Sequence, residues 1–168
     1  ELTNLQDNLP PFEHKIALKI IKEELGAPVN ELFDEFPEEP IASASLGIVY
    51  KVKAKNNSFC AVKVQRPNLY FLIRRDLVIL RILATTFSTF LPLNIGVGIG
   101  EIIDEFGRAL FEEIDYEKEG ENAVRFANLF TNNPHVFIPK LEKEFSSKRV
   151  ITTSWVDGVK LRDKEILE

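Results

Sequence analysis

An α+β fold, with an antiparallel hairpin and later strands set among long helices, is what the sequence predicts. Three patterns point to it. Ile16, Ile20 and Ile21 recur at helical spacing. Ile41 to Ala54 and Phe59 to Gln65 look extended and flank the turn-forming group Lys55-Asn56-Asn57-Ser58. Leu141 to Phe145 and Arg149 to Val156 repeat that chemistry around Ser146-Ser147-Lys148. With 168 residues, 45% of them apolar, the chain is long enough for one domain with a core.

The elements follow in order. Glu13 to Leu25 reads as an amphipathic helix ending at Gly26, a natural left-handed cap. Acidic residues and prolines crowd Asp34 to Pro40, and the hairpin follows, closed by Arg66-Pro67. Leu69 to Leu91 is a helical run whose charges at Arg74, Arg75, Asp76 and Arg81 interrupt an apolar surface, so a mostly buried face is expected. A second helical region runs from about Gly100 to Phe130 with a stripe of Ile102, Ile103, Phe106, Leu110 and Phe111, and Gly107 and Gly120 as weak points. Val136 to Ile138 and the two later runs are expected as strands.

Composition excludes some functions. A net charge of −5 without clustered lysine and arginine gives no footprint for nucleic acid. Cys60, the only cysteine, is expected as a small buried thiol in a reducing compartment. The uncharged stretch from Ile82 to Gly100 is broken by Pro92, Gly96, Gly98 and Gly100, so a helix, a Pro-led loop and a new helix fit it better than a membrane span. His14 and His135 have no partner at metal-ligand spacing, and no metal ligands are assigned. The missing initiator methionine leads us to expect a fragment, with no targeting signal visible in it.

Chemistry concentrates around the hairpin. In Ile41-Ala42-Ser43-Ala44-Ser45-Leu46-Gly47-Ile48-Val49-Tyr50, small residues fall at the bend between strands, where backbone N–H groups can approach an anion. Alone, this pattern is better read as a tight strand turn that needs small residues for packing. Sixteen residues beyond Gly47, Lys63 follows Ala61 and Val62 in an apolar strand, where a charge needs a partner or a ligand. A lysine on the strand behind a phosphate loop is the kinase arrangement, in which a helix glutamate holds it. Glu112, Glu113, Asp115, Glu117, Glu119 and Glu121 are all candidates for that partner, and periodicity does not choose among them.

Four stretches together resemble the UbiB-like, or aarF-domain, atypical kinases. They are Pro40 to Gly47, Ala61-Val62-Lys63-Val64-Gln65-Arg66-Pro67, Glu112-Glu113-Ile114-Asp115-Tyr116 with Glu119, and Trp155-Val156-Asp157-Gly158. The likeness covers nearly the whole chain and is strongest to cyanobacterial and plastid members. It implies a protein-kinase-like amino-terminal lobe: a helical extension over 1–40, a nucleotide-loop hairpin over 41–67, helices over 68–133, strands and hinge over 134–158, and the start of the second lobe over 159–168.

The resemblance also implies roles. Ala42, Ser43, Ala44, Ser45 and Gly47 would replace the kinase glycine-rich loop, Lys63 would contact the phosphates of ATP or ADP, and Glu119 is the first choice for its partner. Glu113 and Asp115 match the family's own acidic pair and could compete for Lys63. Thr153 would be the gatekeeper, Ser154 and Val156 would offer hinge contacts to adenine, and Val49 and Ala61 would line the ring. Ser43, Ile48 and Ser154 stand where the family commonly has alanine, glutamine and glutamate, which bears on selectivity. Mg²⁺ is expected to be held by residues beyond Glu168, so phosphoryl transfer needs more than this stretch.

The implied setting is isoprenoid quinone (ubiquinone or plastoquinone) or other prenyl-lipid metabolism, with quinone-pathway proteins or prenyl lipids as partners and peripheral membrane association. The location would be cytoplasmic, or at a thylakoid or inner membrane, in a cyanobacterium or plastid. A nucleotide-sensing pseudokinase and a lipid-binding helical scaffold are the rival functions.

Overall fold

The computed structural model describes residues 10–87 and 98–158. Helix α1 (His14–Leu25) ends where Gly26 turns left-handed, at φ 78°, and donates its N–H to Lys22 O at 3.0 Å. A side chain is disfavoured in that conformation, which accounts for the glycine. One helical turn, α2 (Val29–Leu32), leads into strand β1 (Phe33–Glu35). Strands β2 (Ala42–Ser43), β3 (Gly47–Ala54) and β4 (Phe59–Gln65) follow, and β5 (Val150–Ser154) completes an antiparallel sheet of order β1-β3-β4-β5, with β2 also on β3. The β3–β4 turn closes through Asn57 at φ 68° and through Asn56 Oδ1, which accepts from the Ser58 N–H at 3.0 Å. Asparagine tolerates this left-handed position and mimics a backbone turn.

Alternation along the strands gives the sheet two unlike faces. Ile48, Tyr50, Val52, Cys60, Val62, Val64 and Val150 are buried in one core with Ala17, Ile20 and Ile21 of α1. Each such large apolar side chain contributes about 1.5–3 kcal/mol by leaving water. On the other face, register places Val49, Lys63 and Ile151 side by side, with Lys51, Ala61 and Thr153 in the next row. Cys60 is buried, and burial pushes its thiol pKa up, with the nearby Glu142 charge adding to the shift.

Helix α3 (Leu69–Phe87) runs against α4 (Ile99–Glu113), and α5 (Tyr116–Leu129) returns to the sheet. Gly107 of α4 faces Leu77 so closely that an added Cβ would sit 3.0 Å from Leu77 Cδ1, and Arg81 pairs with Asp104 at 2.7 Å.

Several sequence expectations are corrected. The region expected as one helix from Gly100 to Phe130 is two helices, because Ile114 and Asp115 leave the helical path and Asp115 caps the second. The α3 face expected to be mostly buried is exposed: Phe71, Val78, Ile79, Ile82 and Phe87 all face outward, and Leu69 is its buried residue. A two-helix arm buries one stripe, and a pattern of apolar residues does not say against what the rest packs. Val136 to Ile138 forms no strand, and Leu141 makes one bridge to Thr153 before a 3-10 turn at Lys143–Phe145. The stretch over 1–40 is not wholly helical, since β1 within it pairs with β3. The Pro-led loop expected around Pro92 and the start of the second lobe over 159–168 lie outside the described residues.

No helix among the described residues is long and apolar enough to cross a membrane.

Candidate functional site

Lys63 stands mid-strand on the sheet face opposite α1, between Val49 of β3 and Ile151 of β5. Its Nζ donates to Glu119 of α5 at 2.7 Å to Oε2 and 3.0 Å to Oε1. It also lies 4.4 Å from the centre of the Tyr116 ring. The lysine side chain is 30% exposed and the glutamate 43%. A pair this exposed contributes only about 0–1 kcal/mol to stability, and the ring contact about 0.5–1 kcal/mol more. The arrangement therefore matters more for where it holds an ammonium than for fold stability.

The break between α4 and α5 selects the carboxylate. Ile114 O, released from the helix, accepts a hydrogen bond from buried Gln65 Nε2 at 2.5 Å, and the Tyr116 N–H donates to Lys148 O at 3.1 Å. Asp115 Oδ1 accepts from the N–H groups of Glu117 and Lys118, so this side chain serves as the helix cap. These contacts fix the phase of α5 and place Glu119 one turn beyond Tyr116, over Lys63. In this structure Lys63 meets Glu119, not Glu113 or Asp115. Glu112 is engaged by Lys118 at 3.1 Å.

Tyr116 is the residue that sequence reasoning passed over. Its side chain is fully buried, its ring carries the Lys63 ammonium and its hydroxyl approaches Leu46 O at 3.5 Å. Burial, with the charges of Glu119 and Glu113 adding to it, raises the phenol pKa well above its ordinary value, so the ring stays neutral beneath the ammonium. Gly47 makes room for it: a Cβ there would lie 2.8 Å from Tyr116 Oη and 2.5 Å from Val64 O. This glycine is required by close approach.

The small-residue loop lies beside this row. Ala42 and Ser43 form β2, and the Ala44 N–H donates to Gly47 O at 2.8 Å. Ala42, Ala44 and Ser45 are exposed. Val49, Ala61 and Thr153 are half-buried on the Lys63 face. Ser154 faces the other way in register with Cys60, its N–H donates to Lys140 O at 2.8 Å, and its Oγ accepts from the Lys140 N–H. Val156 is exposed just beyond β5. The structure thus gathers Lys63, Glu119, Val49, Ala61 and Thr153 on one surface, with the loop at its edge. A cavity of about 660 Å³ lies elsewhere, along Gly120, Glu121, Val124 and Leu141, and shares Tyr116 with the site. The Lys63 face is one open wall, and an ammonium beside a loop of exposed small residues is chemistry suited to an anion. Among the described residues no cluster of three His, Cys, Asp or Glu is placed to hold a metal ion.

Comparison with known proteins gives this geometry a context. Residues 4–168 match the model of the ABC1 atypical kinase-like domain. An uncharacterized Synechocystis protein is 44% identical over 98% of this chain and 29% of its own length. The chloroplastic protein Activity of bc1 complex kinase 1 of Arabidopsis thaliana is 38% identical over the whole chain and 25% of its own length. The chain therefore spans little more than a quarter of these relatives. Among solved structures, Rv3197 of Mycobacterium tuberculosis, in its complex with erythromycin, superposes with a TM-score of 0.77 at 27% identity, over 92% of this chain and 38% of that one.

Proposed function

The chain belongs to the ABC1 atypical kinase-like family, and we propose that it supplies the ATP- or ADP-binding lobe of an atypical kinase or ATPase. The observation that carries the proposal is the bond from Lys63 on β4 to Glu119 on α5. A strand lysine held by a helix glutamate is how kinases present a point charge to the α- and β-phosphates. Lys63 would neutralise phosphate charge, Glu119 and the Tyr116 ring would hold the ammonium in place, and the Ala42 to Ser45 loop would cover the phosphates. Thr153, Val49 and Ala61 would bound the adenine, with Ser154 and Val156 at the hinge. Magnesium, held by groups outside this stretch, would supply positive charge against the phosphates.

The motif resemblance extends the proposal to isoprenoid quinone or related prenyl-lipid metabolism in a cyanobacterium or plastid. Cyanobacterial and chloroplastic relatives support that source. A second reading, a lipid-facing helical scaffold, is favoured by the exposed apolar side chains of α3. Hydrogen exchange on the full-length protein separates the two. Magnesium ADP should protect the β3–β4 hairpin and the start of α5; protection by prenyl lipid on α3 alone, with the hairpin unchanged by nucleotide, favours the scaffold.

A further inference from the structure

We infer that Arg66 is a positioning residue that turns the small-residue loop toward the phosphates, an inference that rests on the nucleotide reading above. Its Nε donates to Ala44 O at 3.0 Å and its Nη2 to Ser43 Oγ at 3.2 Å. The same Nη2 donates to Pro10 O at 3.1 Å, and the guanidinium lies 6.0 Å from the centre of the Phe12 ring. The Arg66 N–H donates to Leu46 O at 2.9 Å, which continues the β3–β4 register one residue past the strand. A loop of exposed alanine and serine is thus gripped by one side chain at two consecutive residues. The acceptors of the guanidinium, two backbone carbonyls and a hydroxyl, are all uncharged oxygens, so geometry rather than charge pairing sets the grip.

The direction of the grip follows from alternation along β4. Lys63 reaches Glu119 and Gln65 reaches Ile114 O, both on the α5 side. Arg66 instead meets Phe12, which packs against the core shared with α1. It therefore holds Ala44 O from the face opposite Lys63. Across a planar trans peptide the C=O and the following N–H point opposite ways. Fixing Ala44 O toward Arg66 turns the Ser45 N–H toward the Lys63 side, where a phosphate oxygen would need a donor. Glycine loops find such orientations through backbone freedom; here a guanidinium fork imposes one. The bond to Pro10 O makes the segment before α1 part of the same latch.

The test uses the full-length protein, its Arg66→Ala and Arg66→Lys variants, and two probes: magnesium ADP, which has phosphates, and adenosine, which has none. In both variants magnesium ADP should bind about tenfold more weakly, while adenosine affinity and hydrogen exchange in β3 and β4 stay unchanged. Lysine keeps the charge but cannot fork to both acceptors, so full recovery by Arg66→Lys would overturn positioning in favour of charge alone. Parallel loss of both probes, or no loss of either, would also overturn it. A parent protein that binds neither probe removes the nucleotide site itself, and the role of Arg66 with it.

Discussion

Lys63 and Glu119 are 56 residues apart in the chain and 2.7 Å apart in space. They are joined by a bond that two separate elements must be correctly phased to make. The sheet supplies the first position and the capped start of α5 the second.

If that bond organises the site, the two residues should be energetically coupled in nucleotide binding. A double-mutant cycle of Lys63→Ala with Glu119→Gln in the full-length protein should give a coupling of about 0.5–3 kcal/mol. The same cycle with Glu121, which lines the cavity along Gly120 and Leu141, should be close to additive. Coupling confined to Glu113 would show that another carboxylate holds the lysine when nucleotide is bound.

Gly47→Ala should destabilise the fold by about 1–3 kcal/mol, since the added carbon meets the Val64 carbonyl as well as the Tyr116 hydroxyl. Combining it with Tyr116→Phe should recover only part of the loss, because the backbone contact remains. Denaturant titration of both variants checks this, and a neutral Gly47→Ala would mean that the β3 entrance gives way easily.

Ala44 is exposed and does not adopt positive φ, so glycine there is not required by this loop conformation. Ala44→Gly should widen the loop's backbone choices, change the preference between ADP and ATP and alter turnover, while stability falls by no more than about 1 kcal/mol. Thermal melts without ligand, with ADP and with ATP report this directly. A uniform shift of all three, with unchanged ligand increments, would show that alanine merely packs the turn.

Arg149 ties β5 to α1 through Glu24 at 2.7 Å and Glu23 at 3.0 Å. Burial alone would raise the Glu24 carboxyl, but hydrogen bonds, those from Arg149 among them, outweigh it and hold the pKa below the ordinary value of 4.5. A depressed folded-state pKa means that the contribution is fully present above the unfolded value and is lost as pH falls through the lowered one. Melting temperature followed from about pH 7 to about pH 3 should drop less steeply in Glu24→Gln than in the parent at the acid end. Parallel acid limbs would remove Glu24 from the tether.

Local chemistry made much of this fold legible in the sequence. Gly26 marked the end of α1 and Lys55-Asn56-Asn57-Ser58 marked the hairpin turn, while Val49 and Ala61 were named beside Lys63 through the motif resemblance. The α4–α5 break was not read from the sequence, because it rests on contacts with Gln65 and Lys148, distant in sequence, as well as on the local cap by Asp115. That break also hid Tyr116 as the floor beneath Lys63. The outward face of α3 was misjudged because apolar periodicity reports a face without its partner. The motif resemblance favoured Glu119, where spacing alone left six carboxylates equal.

The most direct test of the nucleotide reading is calorimetric titration of the full-length protein and of Lys63→Ala with magnesium ADP and magnesium ATP. Loss of a charge-assisted phosphate contact should weaken binding by about 1.5–3 kcal/mol, roughly ten- to a hundredfold, with the variant's melting temperature in the absence of ligand little changed. Equal affinities in two correctly folded proteins would contradict the assignment of Lys63 to a nucleotide site.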